Sequence, residues 1–173
     1  GVARDPNAPA TPAGAGAAAA AEGGGAGVTV QGLPLLKPPY GTISAIDLNK
    51  GEIVWQVPHG ETPDAIKNHP LLKGMSIPRT GQRGIIGTLT TKTLVIAGES
   101  GFTTTPTGRG AMLRAYDKKT GQEVGAVYMS GPQSGTPMTY RVDGRQYIVV
   151  ATSGGNQSGE YVAYALPESA RTR

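Results

Sequence analysis

The stretch that decides the fold is Ala45–Trp55, AIDLNKGEIVW, because it returns later in the chain as Ala115–Gly125, AYDKKTGQEVG. Both copies carry the pattern Ala-x-Asp-x-x-x-Gly, and Asp47 and Asp117 are 70 positions apart. Asn and Gly between two apolar stretches favour a tight turn between strands. A strand–turn–strand phrase that recurs along a chain is typical of a protein assembled from copies of one unit. We therefore expect part of a repeat array rather than a self-contained domain.

Each position of the phrase has a physical role. An Asp side chain can accept hydrogen bonds from turn amides, and Gly supplies the left-handed backbone that the turn needs. Trp55 offers a large flat face, which predicts packing against a neighbouring sheet rather than contact with a ligand. The second copy has Gly125 at the position of Trp55. We expect that contact to be missing there or filled by another group.

The rest of the chain predicts short strands and almost no helix. The long connection Pro58–Gly84 contains one helix start, Thr62-Pro63-Asp64, and Gly98–Gly110 is predicted to be a loop. Short strands at regular spacing indicate a sandwich, a barrel or a propeller, and the 70-residue repeat favours about two blades of a propeller. The predicted strands are Thr42–Asp47, Glu52–Val57, Thr93–Ala97, Met112–Asp117, Glu123–Tyr128, Met138–Val142, Gln146–Thr152 and Tyr161–Leu166.

Composition divides the chain into three parts. Residues 1–36 form an Ala/Gly/Pro-rich, low-complexity arm that we expect to be disordered or irregular, because it has little apolar surface to bury. A short helix over Ala15–Glu22 is the alternative. Residues 37–167 are the predicted blades, and 168–173 a tail. Because the chain begins with Gly1 rather than Met, we also expect a processed product or a fragment.

Several functional classes are disfavoured. The net charge is +4, but the basic residues are scattered, unlike a nucleic-acid footprint. There are no cysteines and no run of 18 apolar residues, so the sequence predicts no disulfide, no Cys-type zinc site and no membrane span. His59 and His69 lack a ligand pattern, and we predict no metal site. Gly98–Gly101 is similar to a hydrolase elbow, but Phe102 stands where that motif requires Gly.

The repeated phrase resembles the tryptophan-docking motif of the dehydrogenases that use pyrroloquinoline quinone (PQQ). The stretches PPYGTISAIDLNKGEIVWQVPHGETPD, MLRAYDKKTG, GTPMTYRVDGRQYIVVATSGG and GEYVAYALP are similar to the last part of the membrane-type glucose and quinate dehydrogenase branch. The resemblance covers residues 37–167. It departs at Ile85–Lys92, where the family usually reads Gly-Gly-x-x-x-Thr-Ala-Gly.

The resemblance implies an eight-bladed, all-β propeller and a periplasmic enzyme that oxidises a sugar or alcohol. PQQ would be the cofactor, with calcium and the catalytic Asp held by upstream blades absent from this chain, so no catalytic residue is assigned here. The remaining blades, from the same precursor or another chain, would be partners, and a quinone or cytochrome would accept the electrons. The alternative is a non-catalytic propeller of the same repeat type that binds other proteins as a scaffold.

Two glycine-containing loops are candidates for the cofactor wall. In the family that the sequence resembles, PQQ lies on the propeller axis beneath such loops, and amide donors suit an anionic polycarboxylate. The first loop is Arg83–Thr88 and the second is Ser153–Gly159. The alternative is that both are ordinary turns. The predicted cofactor-binding residues are Gly84, Gly87, Thr88, Gly154, Gly155 and Asn156.

Overall fold

The computed structural model describes residues 28–155 and 157–168. Most of the predicted arm, residues 1–27, lies outside this range. Two short strands, β1 (Thr29–Val30) and β2 (Leu33–Pro34), pair antiparallel near the end of the arm. In the described part, no helix has the length and apolar character needed to cross a lipid bilayer.

The first copy of the repeated phrase forms the antiparallel hairpin of β3 (Thr42–Asp47) and β4 (Glu52–Pro58). The side chain of Asp47 accepts hydrogen bonds from the main-chain N–H groups of Asn49 and Lys50, at 2.9 and 3.3 Å. Gly51 then adopts a φ of 69°. The hairpin and the turn chemistry predicted for this phrase are therefore confirmed.

The second copy belongs to a complete four-stranded antiparallel sheet. Its strands are β5 (Leu89–Thr90), β6 (Leu94–Gly98), β8 (Gly108–Asp117) and β9 (Glu123–Met129), in the order β5-β6-β8-β9. The prediction that Gly98–Gly110 is a loop is wrong in part. It contains β7 (Thr103–Thr105), which pairs with the first three residues of β8. Three consecutive threonines are β-branched and favour a strand, and they outweighed the flanking Gly and Pro residues.

The last sheet has three strands in the order β10-β11-β12. They are β10 (Met138–Val142), β11 (Arg145–Gly154) and β12 (Gln157–Ala165). The β10–β11 turn has φ values of 49° and 73° at Asp143 and Gly144, which are the two positive values that a tight hairpin turn of this type requires. This hairpin was predicted from the Asp-Gly pair.

The repeat shows how the three sheets correspond. Because β3–β4 and β8–β9 carry the same phrase, β3–β4 matches the last two strands of the complete sheet. The sheet β10-β11-β12 follows the complete sheet along the chain and has the consecutive antiparallel order of its first three strands. Four-stranded antiparallel sheets are the blades of a propeller. The described residues thus contain half a blade, a whole blade and three quarters of a blade, and the predicted all-β fold of about two blades is confirmed.

The blades pack face to face. An apolar cluster joins β6, β8 and β9 of the complete sheet to β11 of the next sheet, and its buried members are Ile96, Ala111, Leu113, Met129 and Val150. The hydroxyl of Tyr164 on β12 also donates to the carbonyl of Tyr128 on β9, at 2.9 Å. Burial of apolar surface between sheets is therefore what holds successive blades together.

The long connection between β4 and β5 leaves the blades after β4 and returns beside His59, the residue at which it began. It contains the predicted short helix, α1 (Asp64–Lys67), and a 3₁₀ turn at Pro70–Leu72. On its return, Gln82 N donates to His59 O at 2.8 Å, and His59 N donates to Gly41 O at 2.9 Å. These bonds close the connection at its base and place the residues that follow, 83–88, beside the complete sheet.

Candidate functional site

The first predicted loop, Arg83–Thr88, packs tightly on the complete sheet and on the segment that follows it. A Cβ at Gly84 would overlap Ser100, and a Cβ at Gly87 would overlap Thr136. Ser100 Oγ donates to the carbonyl of Arg83 at 2.7 Å, and Gln133 Nε2 donates to that of Gly87 at 2.8 Å. Close packing within the chain therefore explains the two glycines.

The hydrogen bonding of the main-chain amides is the second feature of this loop. In the part of the chain that the structure describes, the main-chain N–H groups of residues 84–88 donate no hydrogen bond to another protein group. Gly84, Ile85 and Thr88 are exposed, and the neighbouring Arg83 is half-buried. A row of free amide donors beside a guanidinium is suited to an anion. The donors present fit a ligand that carries carboxylates.

Two glycines of the second predicted loop, Gly154 and Gly155, lie beside Phe102, two residues after the Ser100 that contacts the first loop. Gly154 and Gly155 have φ values of 145° and 60°, and a Cβ at either position would lie 3.4–3.5 Å from Phe102. Ser153 N donates to Pro132 O at 3.0 Å. These glycines are accounted for by backbone conformation. Asn156 lies outside the described residues.

The structure brings the two loops together around one turn, Ser100–Phe102. Ser100 fills the space beside Gly84, Phe102 lies against Gly154 and Gly155, and Gly101 N donates to Gln82 Oε1 at 3.1 Å. Gly84, Gly87, Gly154 and Gly155 thus lie around residues 98–102 and 131–136, and Thr88 directly follows Gly87. Their binding of a cofactor stays a prediction.

A cleft of about 590 Å³ separates the β3–β4 hairpin from the complete blade. Gly84 and Thr88 line it, but Gly154 and Gly155 do not. Five consecutive residues of β3, Thr42–Ile46, also line it, as expected where the edge of a strand faces a cleft. In the complete blade the equivalent edge, on β8, is occupied by β6. The β3 side of the cleft therefore corresponds to a missing strand.

Sequence reasoning missed a buried ionic network next to the turn. Glu99 is fully buried, and its Oε1 accepts hydrogen bonds from Nε and Nη2 of Arg114 at 2.9 and 2.6 Å. Arg114 also donates to Glu61 at 2.9 Å and to Glu123 at 3.0 Å. Glu99 accepts further bonds from main-chain N–H groups of residues 61 and 112. The network joins the long connection to the complete blade.

Electrostatics support a stable ion pair in this network. Burial lowers the pKa of Arg114, but the attraction of Glu99 and its hydrogen bond, with Glu123 and Glu61, outweighs burial and leaves the pKa above its ordinary value. A charged group inside a protein must be paired and hydrogen-bonded, and each guanidinium nitrogen of Arg114 has a carboxylate partner. The sequence signal was a charged residue inside an apolar strand or directly after one, as in MLRAY and LVIAGE.

His59 adjoins the network and is also buried. Its Nδ1 lies 2.9 Å from the hydroxyl of Tyr116, and its Nε2 lies 3.0 Å from the carbonyl of Gly98. A carbonyl can only accept, so Nε2 carries the proton and Nδ1 accepts from the tyrosine. Burial lowers the pKa of His59 and raises that of Tyr116 to about 12. Both side chains are therefore neutral at physiological pH.

Neither histidine is arranged as a metal ligand. His69 Nε2 is 3.0 Å from the carbonyl of Gln31, and its Nδ1 accepts from Leu71 N. Both ring nitrogens of each histidine are thus engaged within the chain. Within residues 28–155 and 157–168, no three His, Cys, Asp or Glu side chains form a group that could hold a metal ion.

Comparisons with known proteins agree with the geometry. The family model described as the glucose/ethanol/alcohol dehydrogenase β-propeller domain, PQQ, matches residues 6–148. A probable quinate dehydrogenase (quinone) of Xanthomonas campestris pv. juglandis is 39% identical over 80% of this chain. A quinoprotein glucose dehydrogenase of Escherichia coli (strain K12) is 32% identical over 81%, and a glycerol dehydrogenase large subunit of Gluconobacter oxydans (strain 621H) is 34% identical over 79%.

The matches cover 17%, 17% and 18% of these three relatives, so the chain spans less than a fifth of their length. The family match covers most of the chain, and the sheets that it spans have the strand order of propeller blades. The chain belongs to the PQQ β-propeller family of glucose, ethanol and alcohol dehydrogenases.

Proposed function

We propose that this chain is the C-terminal part of a PQQ-dependent dehydrogenase that oxidises the hydroxyl group of a sugar or alcohol. It contributes the closing blades of the ring and part of the cofactor wall, and the catalytic base and a calcium site lie in upstream blades. The observation that carries the proposal is the family match over residues 6–148, together with sheets that are incomplete at both ends of the described chain.

Incomplete sheets support the need for further blades. Within the described residues, β3 pairs with β4 alone and β12 pairs with β11 alone. An unpaired strand edge presents main-chain donors and acceptors that another strand can satisfy. We infer that a strand from elsewhere in the whole protein pairs with β3 in the register by which β6 pairs with β8. The residues of β3 that correspond to the β8 residues paired with β6 are 43–47.

The first loop supports a cofactor role. PQQ carries several carboxylates, and the free amides of residues 84–88, with Arg83, are donors suited to them. When bound, PQQ supplies the acceptor for the electrons removed from the substrate. Residues of this chain bind and orient the cofactor, while Gly154 and Gly155 shape the opposite side of the turn.

The names of the relatives guide the remaining assignments. Two are named for quinate and glucose, and the first of these names also includes a quinone. We assign a quinone or a cytochrome as the electron acceptor and the periplasm as the location. The scaffold hypothesis is less well supported, because the relatives at 30–39% identity are named as dehydrogenases.

The test uses the full-length polypeptide that carries this segment, prepared without cofactor. It is titrated with PQQ in the presence of calcium, and dye reduction is followed with glucose, quinate and ethanol. We expect activity that requires PQQ and saturates with it. The isolated 173-residue chain should give no turnover under the same conditions.

Two outcomes would contradict the proposal. A full-length protein that folds but shows no dye reduction with PQQ and any of these substrates would favour the scaffold. Turnover by the isolated chain would show that no further blades are needed.

A further inference from the structure

The side chain of Gln133 connects the first candidate loop to the complete blade. Its Oε1 accepts a hydrogen bond from Gly98 N at 2.6 Å, and its Nε2 donates to Gly87 O at 2.8 Å. Its own main-chain N–H donates to Glu99 O at 2.9 Å. Gln133 is 6% exposed, so water does not compete for these bonds. Both ends of the amide are therefore committed to fixed main-chain partners.

The loop has few other attachments. In the described residues, two hydrogen bonds join residues 83–88 to the rest of the protein, one from Ser100 Oγ to Arg83 O and one from Gln133 Nε2 to Gly87 O. The first holds the beginning of the loop and the second holds its end. The amides between these two points are those without a protein acceptor.

We propose that Gln133 is a positioning residue that sets the distance between residues 84–88 and the blade, and so presents their amides to the carboxylates of PQQ. The inference rests on the proposed function, because it assumes that this loop binds the cofactor. Fixing a loop in its bound shape raises affinity, since less conformational entropy is lost on binding. Loss of the Gln133 bond to Gly87 leaves the bond from Ser100 Oγ to Arg83 O as the one hydrogen bond that joins the loop to the rest of the described chain.

Two substitutions of Gln133 distinguish its hydrogen bond with Gly98 from its hydrogen bond with Gly87. Gln133→Met keeps the length and removes both polar ends, whereas Gln133→Glu keeps an oxygen for Gly98 N and replaces the donor to Gly87 O. Gln146→Met is the matched control, because Gln146 is an exposed glutamine on β11 whose Nε2 donates to Thr139 Oγ1 at 3.0 Å. All variants are made in the full-length polypeptide that carries this segment.

The first measurement needs no activity. Arg83 is a trypsin site inside the loop, so the rate of cleavage after Arg83 in the cofactor-free protein reports how often the loop opens. We expect cleavage at least about fivefold faster in both Gln133 variants and unchanged in Gln146→Met. Cleavage after Arg141, on β10, is the internal reference and should not change.

The second measurement is the dissociation constant of PQQ, from quenching of protein fluorescence. We expect it to rise roughly tenfold in both Gln133 variants. At saturating PQQ, kcat should stay within about twofold of wild type, because bound PQQ restores the loop position. A residue with a purely structural role would not separate cofactor affinity from kcat in this way.

The outcomes are distinguishable. If wild type binds no PQQ, the proposed function fails. If wild type binds PQQ but both folded Gln133 variants keep its cleavage rate and its dissociation constant, this inference fails and the proposed function stands. Should Gln133→Met not fold, Gln133→Glu decides, and failure of both to fold would assign Gln133 to stability and overturn the inference.

Discussion

The indole of Trp55 lies on Gly121, so the first copy of the repeated phrase packs on the turn of the second. A Cβ at Gly121 would be 2.6 Å from Cε3 of Trp55, and Trp55 Nε1 donates to the carbonyl of Lys118 at 3.0 Å. The Gly that each turn needs for its backbone therefore also provides, in the second copy, the space for the preceding tryptophan. The predicted role of Trp55 as a contact between neighbouring blades is confirmed.

Gly121→Ala should destabilise the protein more than Gly51→Ala does. Both glycines have positive φ, 73° and 69°, so both substitutions carry a backbone cost of about 1–2 kcal/mol. A Cβ at Gly51 meets nothing within 4 Å, whereas one at Gly121 runs into the indole. We expect an excess of about 1–3 kcal/mol in the free energy of unfolding for Gly121→Ala, measured by urea denaturation.

The same pair of variants in a Trp55→Ala background tests the cause. Removing the indole removes the collision, so the excess cost of Gly121→Ala over Gly51→Ala should disappear in the double variant. An excess that persists without Trp55 would show that the two residues are not coupled.

Local signals explain why the hairpins could be predicted from the sequence. Turn residues such as Asp143-Gly144, and the Asp and Gly of the repeated phrase, fix hairpins through main-chain conformation alone. The bounds Thr42–Asp47 and Met138–Val142 agree with the structure at both ends. Strand β7 was missed because its threonines lie among Gly and Pro residues, which are stronger local signals for a loop.

Contacts between distant residues explain why the ionic network was not predicted. Arg114 meets Glu61 and Glu99, which are 53 and 15 positions away, and no periodicity encodes those pairings. The candidate loops were found through their glycines. The groups that hold the first loop, Ser100 and Gln133, gave no signal because a lone polar residue has no pattern.

Arg114→Met should cost about 3–5 kcal/mol, because it leaves the buried carboxylate of Glu99 without its partner. Arg109→Met is the control. Arg109 is exposed and lies 3.8 Å from Asp64, and a surface pair of this kind contributes less than about 1 kcal/mol. The measurement is urea denaturation at neutral pH. Equal losses for the two variants would contradict the assignment of Arg114 as the centre of a buried network.

The burial of His59 predicts a pH dependence of stability. Its pKa is lowered in the folded state, chiefly by burial and against the bond to Gly98 O, so the unfolded chain takes up the proton first as the pH falls. The stabilisation is complete above the ordinary pKa of about 6.5 and is lost as the pH falls from there toward the folded pKa. His59→Gln should flatten the fall in unfolding free energy between about pH 7.5 and 5.5. A wild-type slope in His59→Gln would exclude His59 as its source.

Gly125 stands where the first copy of the phrase has Trp55, and the structure leaves that position open. A Cβ there meets nothing within 4 Å, and its φ is not positive. Glycine inside a strand is unfavourable, so Gly125→Thr should raise the unfolding free energy by about 0.5–1 kcal/mol. Gly110→Thr, on the adjacent strand β8, is the contrast. A Cβ at Gly110 would overlap the ring of Tyr128, so the same substitution should lower stability. If Gly125→Thr were as destabilising as Gly110→Thr, position 125 would have to be packed against another part of the whole protein.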